Sequence, residues 1–356
     1  MRKSSLAAPG FHAYDGLART LPRDSQQLVA ALNRQLAHAL WVWIAPAIVL
    51  GALALGLAPA SAAARHVECG DRITGDVRLD ADLKNCPGNG LTIAADGITI
   101  DLGGHVVDGS GRGIGISNGF WGDGHRDVTI RNGKVRGFKI GVRSGAHGTR
   151  LARLRVARNA AGGIALRSRQ CRVERNVVTD NGYGHGIFVG AVSDCRVTGN
   201  RVAGHLGAGI EASRSRGHAI ERNRVTGNRQ AGIVLAGTAG VRAERNVVTR
   251  NGGPGIWLFD GATANVVARN TLAANESGIL LSLGGGANRI VGNSVSGSRG
   301  IGIRLAEAGA GNVVFENVVV LNQRAGIVVF ESPGALVERN TAQDNGDVSA
   351  ADSVAG

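Results

Sequence analysis

One motif recurs through most of the chain at a nearly fixed interval, and this limits the fold more than any other feature. ERNVVTDNGYGHGIFV (174–189), ERNRVTGNRQAGIVL (221–235), ERNVVTRNGGPGIWL (244–258) and ARNTLAANESGILL (268–281) are versions of one unit. Its first Asn returns at Asn176, Asn200, Asn223, Asn246, Asn270, Asn293, Asn317 and Asn340, in steps of 23 or 24 residues. A Gly-Ile pair follows in each unit, and Gly133 and Leu154 fill the Asn column in two earlier ones. Around each Asn the apolar residues alternate, as in Val173 and Val178 or Ile220 and Val225. Alternation means short strands with one buried face. Three such strands per unit cannot bury a core alone, but stacked in parallel they enclose one apolar column. The expected product is a solenoid whose turns lie ~4.8 Å apart. Stacked Asn amides then satisfy the backbone at buried turns.

Composition agrees with short strands and tight turns. Glycine supplies 56 of 356 residues and aromatics only 4%. Without a G-X-Y period this is not collagen, and 43% hydrophobic content excludes a disordered polymer. The net charge of +13 is mostly arginine, so an anionic partner is expected.

The compartment narrows that partner. No charge occurs from Ala39 to Ala64, and LWVWIAPAIVLGALALGLA (40–58, from Leu40 to Ala58) is long enough to span a bilayer. Ala-x-Ala sites follow it, and preceding cations orient the rest of the chain outward. The segment reads as a cleaved signal peptide or as a membrane anchor. The 38 residues before it are long for a leader, which leaves a downstream start open. Export excludes nucleic acid and points to an acidic polysaccharide, met by a monomer in the periplasm or outside the cell. The organisation reads as 1–64 extension and export segment, 65–110 cap and first rungs, 111–346 repeats, and 347–356 flexible tail.

The pattern N-x-V-x-x-N-x-x-x-G-I-x-L resembles the right-handed parallel β-helix repeat family, which includes pectate-lyase-like and periplasmic NosD-type proteins. CGDRITGDVRLDADLKNCPGNGLTIAADGITIDLGGHVVDGSG (69–111) is similar to that family's opening region, where two Cys flank the first strands. The resemblance covers about 67–346 and implies an all-β, right-handed parallel β-helix of about ten rungs behind an N-terminal hydrophobic helix. Its members include lyases, hydrolases, epimerases and non-enzymes, so fold alone does not give activity. Cys69 and Cys86 are candidates to staple the cap. Cys171 and Cys195 share one column on adjacent rungs and are either bonded or stacked free thiols. No Cys/His zinc spacing occurs, so no structural metal is expected.

Positions that the repeat leaves free carry the candidate chemistry. Tyr183, His185, His205 and Glu211 fall on two adjacent rungs. Lyases and C5-epimerases of uronates need a base, a proton donor and a cation against the carboxylate. His and Tyr fit the first two roles, and Arg201, Arg214 or Arg224 the third. The competing reading makes His205 an inward substitute for Asn181 and Asn228. Phe188, Trp257, Phe259 and Phe330 are outward on the Gly-Ile strands, with Arg304 in the same set, and suit sugar stacking or cover by a C-terminal tail. Asp260, Glu307 and Glu331 form a carboxylate column. Glu307/Glu331 or Asp260/Glu307 would make a glycosidase pair, and such a cluster also suits Ca²⁺. Otherwise they are solvated strand-end acids.

Arg150, Arg172, Arg196, Arg242 and Arg289 make a stripe, with Arg175, Arg222, Arg245, Arg269 and Arg339 beside it. Stacked like charges destabilise a sheet. Either Glu174, Glu221, Glu244 and Glu338 offset them, or an anionic polymer lies along the stripe. The expected function is therefore an exported lyase or C5-epimerase acting on an acidic polysaccharide. The alternative is a non-catalytic envelope or accessory protein of NosD type. Members of that type are associated with copper-site maturation, but this chain has one Met and no His-rich tract.

Overall fold

The computed structural model describes residues 64–119 and 122–347. They form a right-handed parallel β-helix with two all-parallel sheets. One sheet is a stack of twelve strands that includes every Gly-Ile strand, such as Ile187–Gly190, Ile210–Ser213, Ile233–Ala236 and Ile256–Phe259. The other holds the two strands flanking each Asn, such as Arg172–Glu174 and Val177–Thr179. Its two ladders merge where Thr129–Arg136 and Arg150–Ala157 run through both. Twelve turns exceed the ten read from the repeat, because 64–118 also stacks in register although it lacks the Asn motif.

The period is physical register. Val173 pairs with Val197, Val178 with Val202 and Ile187 with Ile210, and all six are buried. The Asn column supplies the expected ladder. Asn223 Oδ1 accepts both the backbone N–H (2.9 Å) and the side-chain amide (3.0 Å) of Asn200, while Asn223 Nδ2 donates to Val197 O at 2.8 Å. Both cysteine pairs are bonded, Cys69 to Cys86 and Cys171 to Cys195. For the second pair, this decides between the two readings that the sequence leaves open.

The backbone at the corners is less legible. The residue before each Asn, or before Leu154 in the same column, adopts a left-handed conformation, as at Arg153, Arg175, Arg222, Arg245 and Arg269 (φ 53–55°). Asp260, Glu307 and Glu331 occupy another such corner (φ 57°, 52° and 43°). This conformation costs a non-glycine residue about 1 kcal/mol or more, yet it lets the chain turn sharply while the next Asn points inward. At the C-terminal end Val329 and Val337 are exposed, because no described turn stacks above them. The described residues include no helix long and apolar enough to cross a membrane. The hydrophobic stretch 40–58, the expected helix there and residues 348–356 lie outside them.

Candidate functional site

The outward face of the Gly-Ile sheet brings together part of the candidate cluster. Phe188, Glu211, Val234 and Trp257 are direct neighbours in register on four successive turns. His185 precedes the first of these strands, and its Nε2 lies 3.1 Å from Glu211 Oε2. The Ala208 N–H donates to His185 Nδ1 at 3.3 Å. Nδ1 is thus an acceptor, and Nε2–H is the donor to the carboxylate. The His185 ring stacks beside Phe188 with centroids 6.0 Å apart. Phe188 in turn covers Gly190, where a Cβ would stand 2.3 Å from the ring. Only glycine leaves that ring its place.

Two turns further on, Trp257 and Phe259 stack with centroids 4.3 Å apart and an interplanar angle of 22°. They rest on Ala231, Val234 and Ala236, and Trp257 Nε1–H donates to Ser282 Oγ at 3.0 Å. Glu211, Arg229, Gln230, Trp257 and Phe259 line a cleft of about 420 Å³. One end is a carboxylate held by a histidine, one wall is an aromatic pair, and an exposed guanidinium sits at the rim. Such a cleft can take a sugar ring against the aromatics and a sugar carboxylate against Arg229. Sequence reasoning missed Arg229 and Ser282. Arg229 directly follows the second Asn of its turn, a place where the fold leaves a side chain free.

The other candidates lie apart. His205 is buried in the second polar column. Its Nδ1 accepts the Asn181 N–H at 3.2 Å, and its Nε2 lies 3.1 Å from Val178 O. Burial holds its pKa below the usual imidazole value. Both nitrogens are engaged, as Asn amides are in neighbouring turns. Tyr183 is 86% exposed and belongs to no cluster. Arg201 and Arg224 stack on each other in the second Asn-flanking ladder, a separate face from Glu211. Arg214 directly follows the Glu211 strand, and its stem and Asp260 flank Gly237 between them. Arg304 and Phe330 are on the same sheet, further toward the C-terminal end. Glu307 and Glu331 occupy the corner on adjacent turns. Among the described residues no three His, Cys, Asp or Glu side chains converge as a metal site would require, so the Ca²⁺ reading finds no cage here.

Comparison with known proteins assigns the family. The profile described as "Periplasmic copper-binding protein (NosD)" matches residues 84–277, more than half of the chain, and "Right handed beta helix region" matches 208–353. The chain belongs to the NosD family. This NosD-family chain is an exported protein, periplasmic or secreted, and its two disulfides suit an oxidising compartment. No curated protein matches it in sequence. Among solved structures that share its fold are two epimerase modules. The A-module of Azotobacter vinelandii mannuronan C-5 epimerase AlgE6 is 15% identical with a TM-score of 0.62, over 79% of this chain and 91% of that one. The A-module of the AlgE4 enzyme from the same organism is 20% identical with a TM-score of 0.53, over 76% and 79%.

The copper in the family's description does not fit the described residues. All four cysteines are oxidised in disulfides, no metal-ligating cluster forms, and the single Met is Met1, outside the described range. Soft thiolate and thioether donors, the usual copper(I) ligands, are therefore missing from the described solenoid.

Proposed function

We propose that this NosD-family protein binds an acidic polysaccharide across its Gly-Ile sheet, and that Glu211, positioned by His185, removes the proton alpha to a sugar carboxylate. The observation that carries this is the His185–Glu211 pair opening onto the Trp257/Phe259 cleft. The hydrogen bond from His185 fixes Oε2 and leaves Oε1 of Glu211 to act as the base. Arg229 at the rim offsets the charge that grows on the sugar carboxylate as the proton leaves. Delivery of a proton from solvent water to the other face of that carbon gives the C5 epimer. Loss of the oxygen substituent at C4, which takes a proton from water as it leaves, gives an unsaturated sugar.

Incubation with polyuronates in D₂O tests this. Deuterium at C5, or ultraviolet absorbance from an unsaturated product, is expected with the natural chain and is lost in Glu211→Gln. No deuterium and no absorbance across mannuronate, guluronate and galacturonate polymers would overturn the catalytic step.

A second reading, a non-catalytic binder of the same polymers, draws on one observation. Among the described residues that line the cleft, Glu211 is the one carboxylate, His185 is occupied in holding it, and Tyr183 stands away from it. Binding without exchange would establish that reading.

A further inference from the structure

A different face of the solenoid carries a ladder of arginines. In the first Asn-flanking ladder Arg150, Arg172 and Arg196 are direct register neighbours. At the left-handed corner beside them stand Arg153, Arg175, Arg222, Arg245 and Arg269. The column has a gap at Gly199, where the stem of Arg175 lies 3.7 Å from the place a Cβ would take. All these arginines are exposed.

The glutamates offset these charges only in part. Glu174, Glu221 and Glu244 face outward on the same strands, but Glu221 and Glu244 stack on each other. Over the turns from Arg150 to Arg269 the ion pair formed on this face among the described residues is Arg242 with Glu244, and Glu244 is itself buried. Like charges directly across strands destabilise a sheet, and each left-handed arginine adds a backbone cost of about 1 kcal/mol. Nothing in the fold requires arginine there, since glycine stands at the same corner in two turns, Gly199 and Gly292.

We infer that this ladder is a second binding surface, on which a linear polyuronate lies parallel to the solenoid axis with one carboxylate per turn. The inference rests on the reading that the partner is an acidic polysaccharide, but it uses none of the cleft residues. A 1,4-linked uronate carries one carboxylate per ring, and a ring with its linking oxygen spans about the ~4.8 Å between stacked strands. Each guanidinium can then take one carboxylate through paired hydrogen bonds. Each of six successive turns, from that of Arg150 to that of Arg269, carries at least one of these cations, in two adjacent columns. Cations repeated turn by turn along the axis match the fixed spacing of carboxylates on a polymer, which an anionic membrane does not present.

The test is equilibrium binding of the full chain to uronate oligomers of graded length. Affinity is expected to rise with each residue up to about six and then level off, one residue per turn of the ladder. The triple variant Arg175→Gly, Arg222→Gly, Arg245→Gly keeps a residue that the corner accepts. It should bind the longest oligomers about ten- to hundredfold more weakly. The cleft variant Trp257→Ala should retain the length dependence. If the triple variant binds like the natural chain while Trp257→Ala does not, the ladder is overturned and the cleft stands. Retention on vesicles containing anionic phospholipid, lost in the triple variant, with no oligouronate binding, would assign the surface to a membrane and overturn the polysaccharide. An affinity that is independent of oligomer length also overturns it.

Discussion

His218 Nδ1 accepts the backbone N–H of Cys195 at 3.1 Å, one turn away, in a column that Asn265, Asn288 and Asn312 fill later in the chain. His218 is 2% exposed, and its Nε2 finds no hydrogen-bond partner. Burial pushes its pKa down to about 4, against a weaker upward pull from Asp194. An unfolded chain takes up this proton near pH 6.5, whereas the folded chain resists it down to about 4. Stability from His218 is therefore full above pH 6.5, is lost as pH falls toward 4, and changes no further below that. The whole loss is about 3 kcal/mol. His205, lowered for the same reason, acts with the same sign.

His218→Asn should remove most of that acid sensitivity. Asn288 shows what an amide does in this column: its Oδ1 accepts a backbone N–H from Asn265, and its Nδ2 donates to Ala262 O at 2.7 Å. An Asn at 218 would give the Cys195 N–H its acceptor and bring a donor of the kind that the column places on carbonyls. Urea unfolding midpoints measured from pH 7 to pH 4 should fall steeply for the natural chain and more gently for the variant. Equal slopes would show that His218 does not titrate as its burial requires.

Asn223→Ala removes one rung of the main amide ladder. The Asn200 N–H and the Val197 carbonyl then lose their partners inside the solenoid. Each buried orphan costs about 1–3 kcal/mol, so a loss of about 3–5 kcal/mol is expected in denaturant unfolding. Glu221→Ala, two residues away but facing outward, should change stability by about 1 kcal/mol or less. A ladder substitution as mild as the surface one would mean that water replaces the amide.

These expectations show what the sequence made legible. Stacking forces each inward residue to repeat, so Val173, Val197 and Ile220 declared the core and Asn176, Asn200 and Asn223 declared the ladder. The same logic placed His205 in line with Asn181 and Asn228. Its imidazole suggested chemistry, but burial at 1% exposure and two engaged nitrogens give it the ladder role. His218 lies five residues before Asn223, as Cys195 does before Asn200, so its place could have been read from the period. The His185–Glu211 contact was within reach, because Glu211 lies one period from Phe188 and His185 sits three residues before Phe188 on the same turn. Tyr183 was not, since a turn residue's direction follows from φ and ψ and leaves no periodic trace. The arginine corners were hidden for a related reason: a left-handed residue is usually signalled by glycine, and here arginine stands in its place.

That conformation gives a sharp test. Arg222→Gly relieves the corner at φ 53° and should raise stability by about 0.5–1 kcal/mol. Arg222→Val puts a β-branched side chain into the same backbone and should lower it by about 1 kcal/mol or more. Thermal unfolding of both variants at moderate salt separates backbone relief from lost charge, since both remove the same guanidinium. If the two shift in the same direction and by the same amount, charge repulsion rather than backbone conformation dominates the corner.

Trp257 offers the most direct reading of the cleft. Its indole is fixed from two sides, by the Phe259 ring at 4.3 Å and by the hydrogen bond to Ser282 Oγ one turn beyond. A sugar ring laid on that platform gains aromatic contact worth about 0.5–1.5 kcal/mol beyond the area it covers. Trp257→Ala should therefore weaken uronate binding about tenfold or more, with Trp257→Phe retaining most of it. Ser282→Ala leaves the ring but frees its orientation, so a smaller loss of about two- to threefold is expected. The readout is titration calorimetry with an oligomer short enough to occupy the cleft alone. The order Ala weaker than Ser282→Ala, and Ser282→Ala weaker than the natural chain, follows only if the sugar touches the indole face. A Trp257→Ala variant that binds short oligomers at full strength would move the sugar off this platform and leave Glu211 without a substrate beside it.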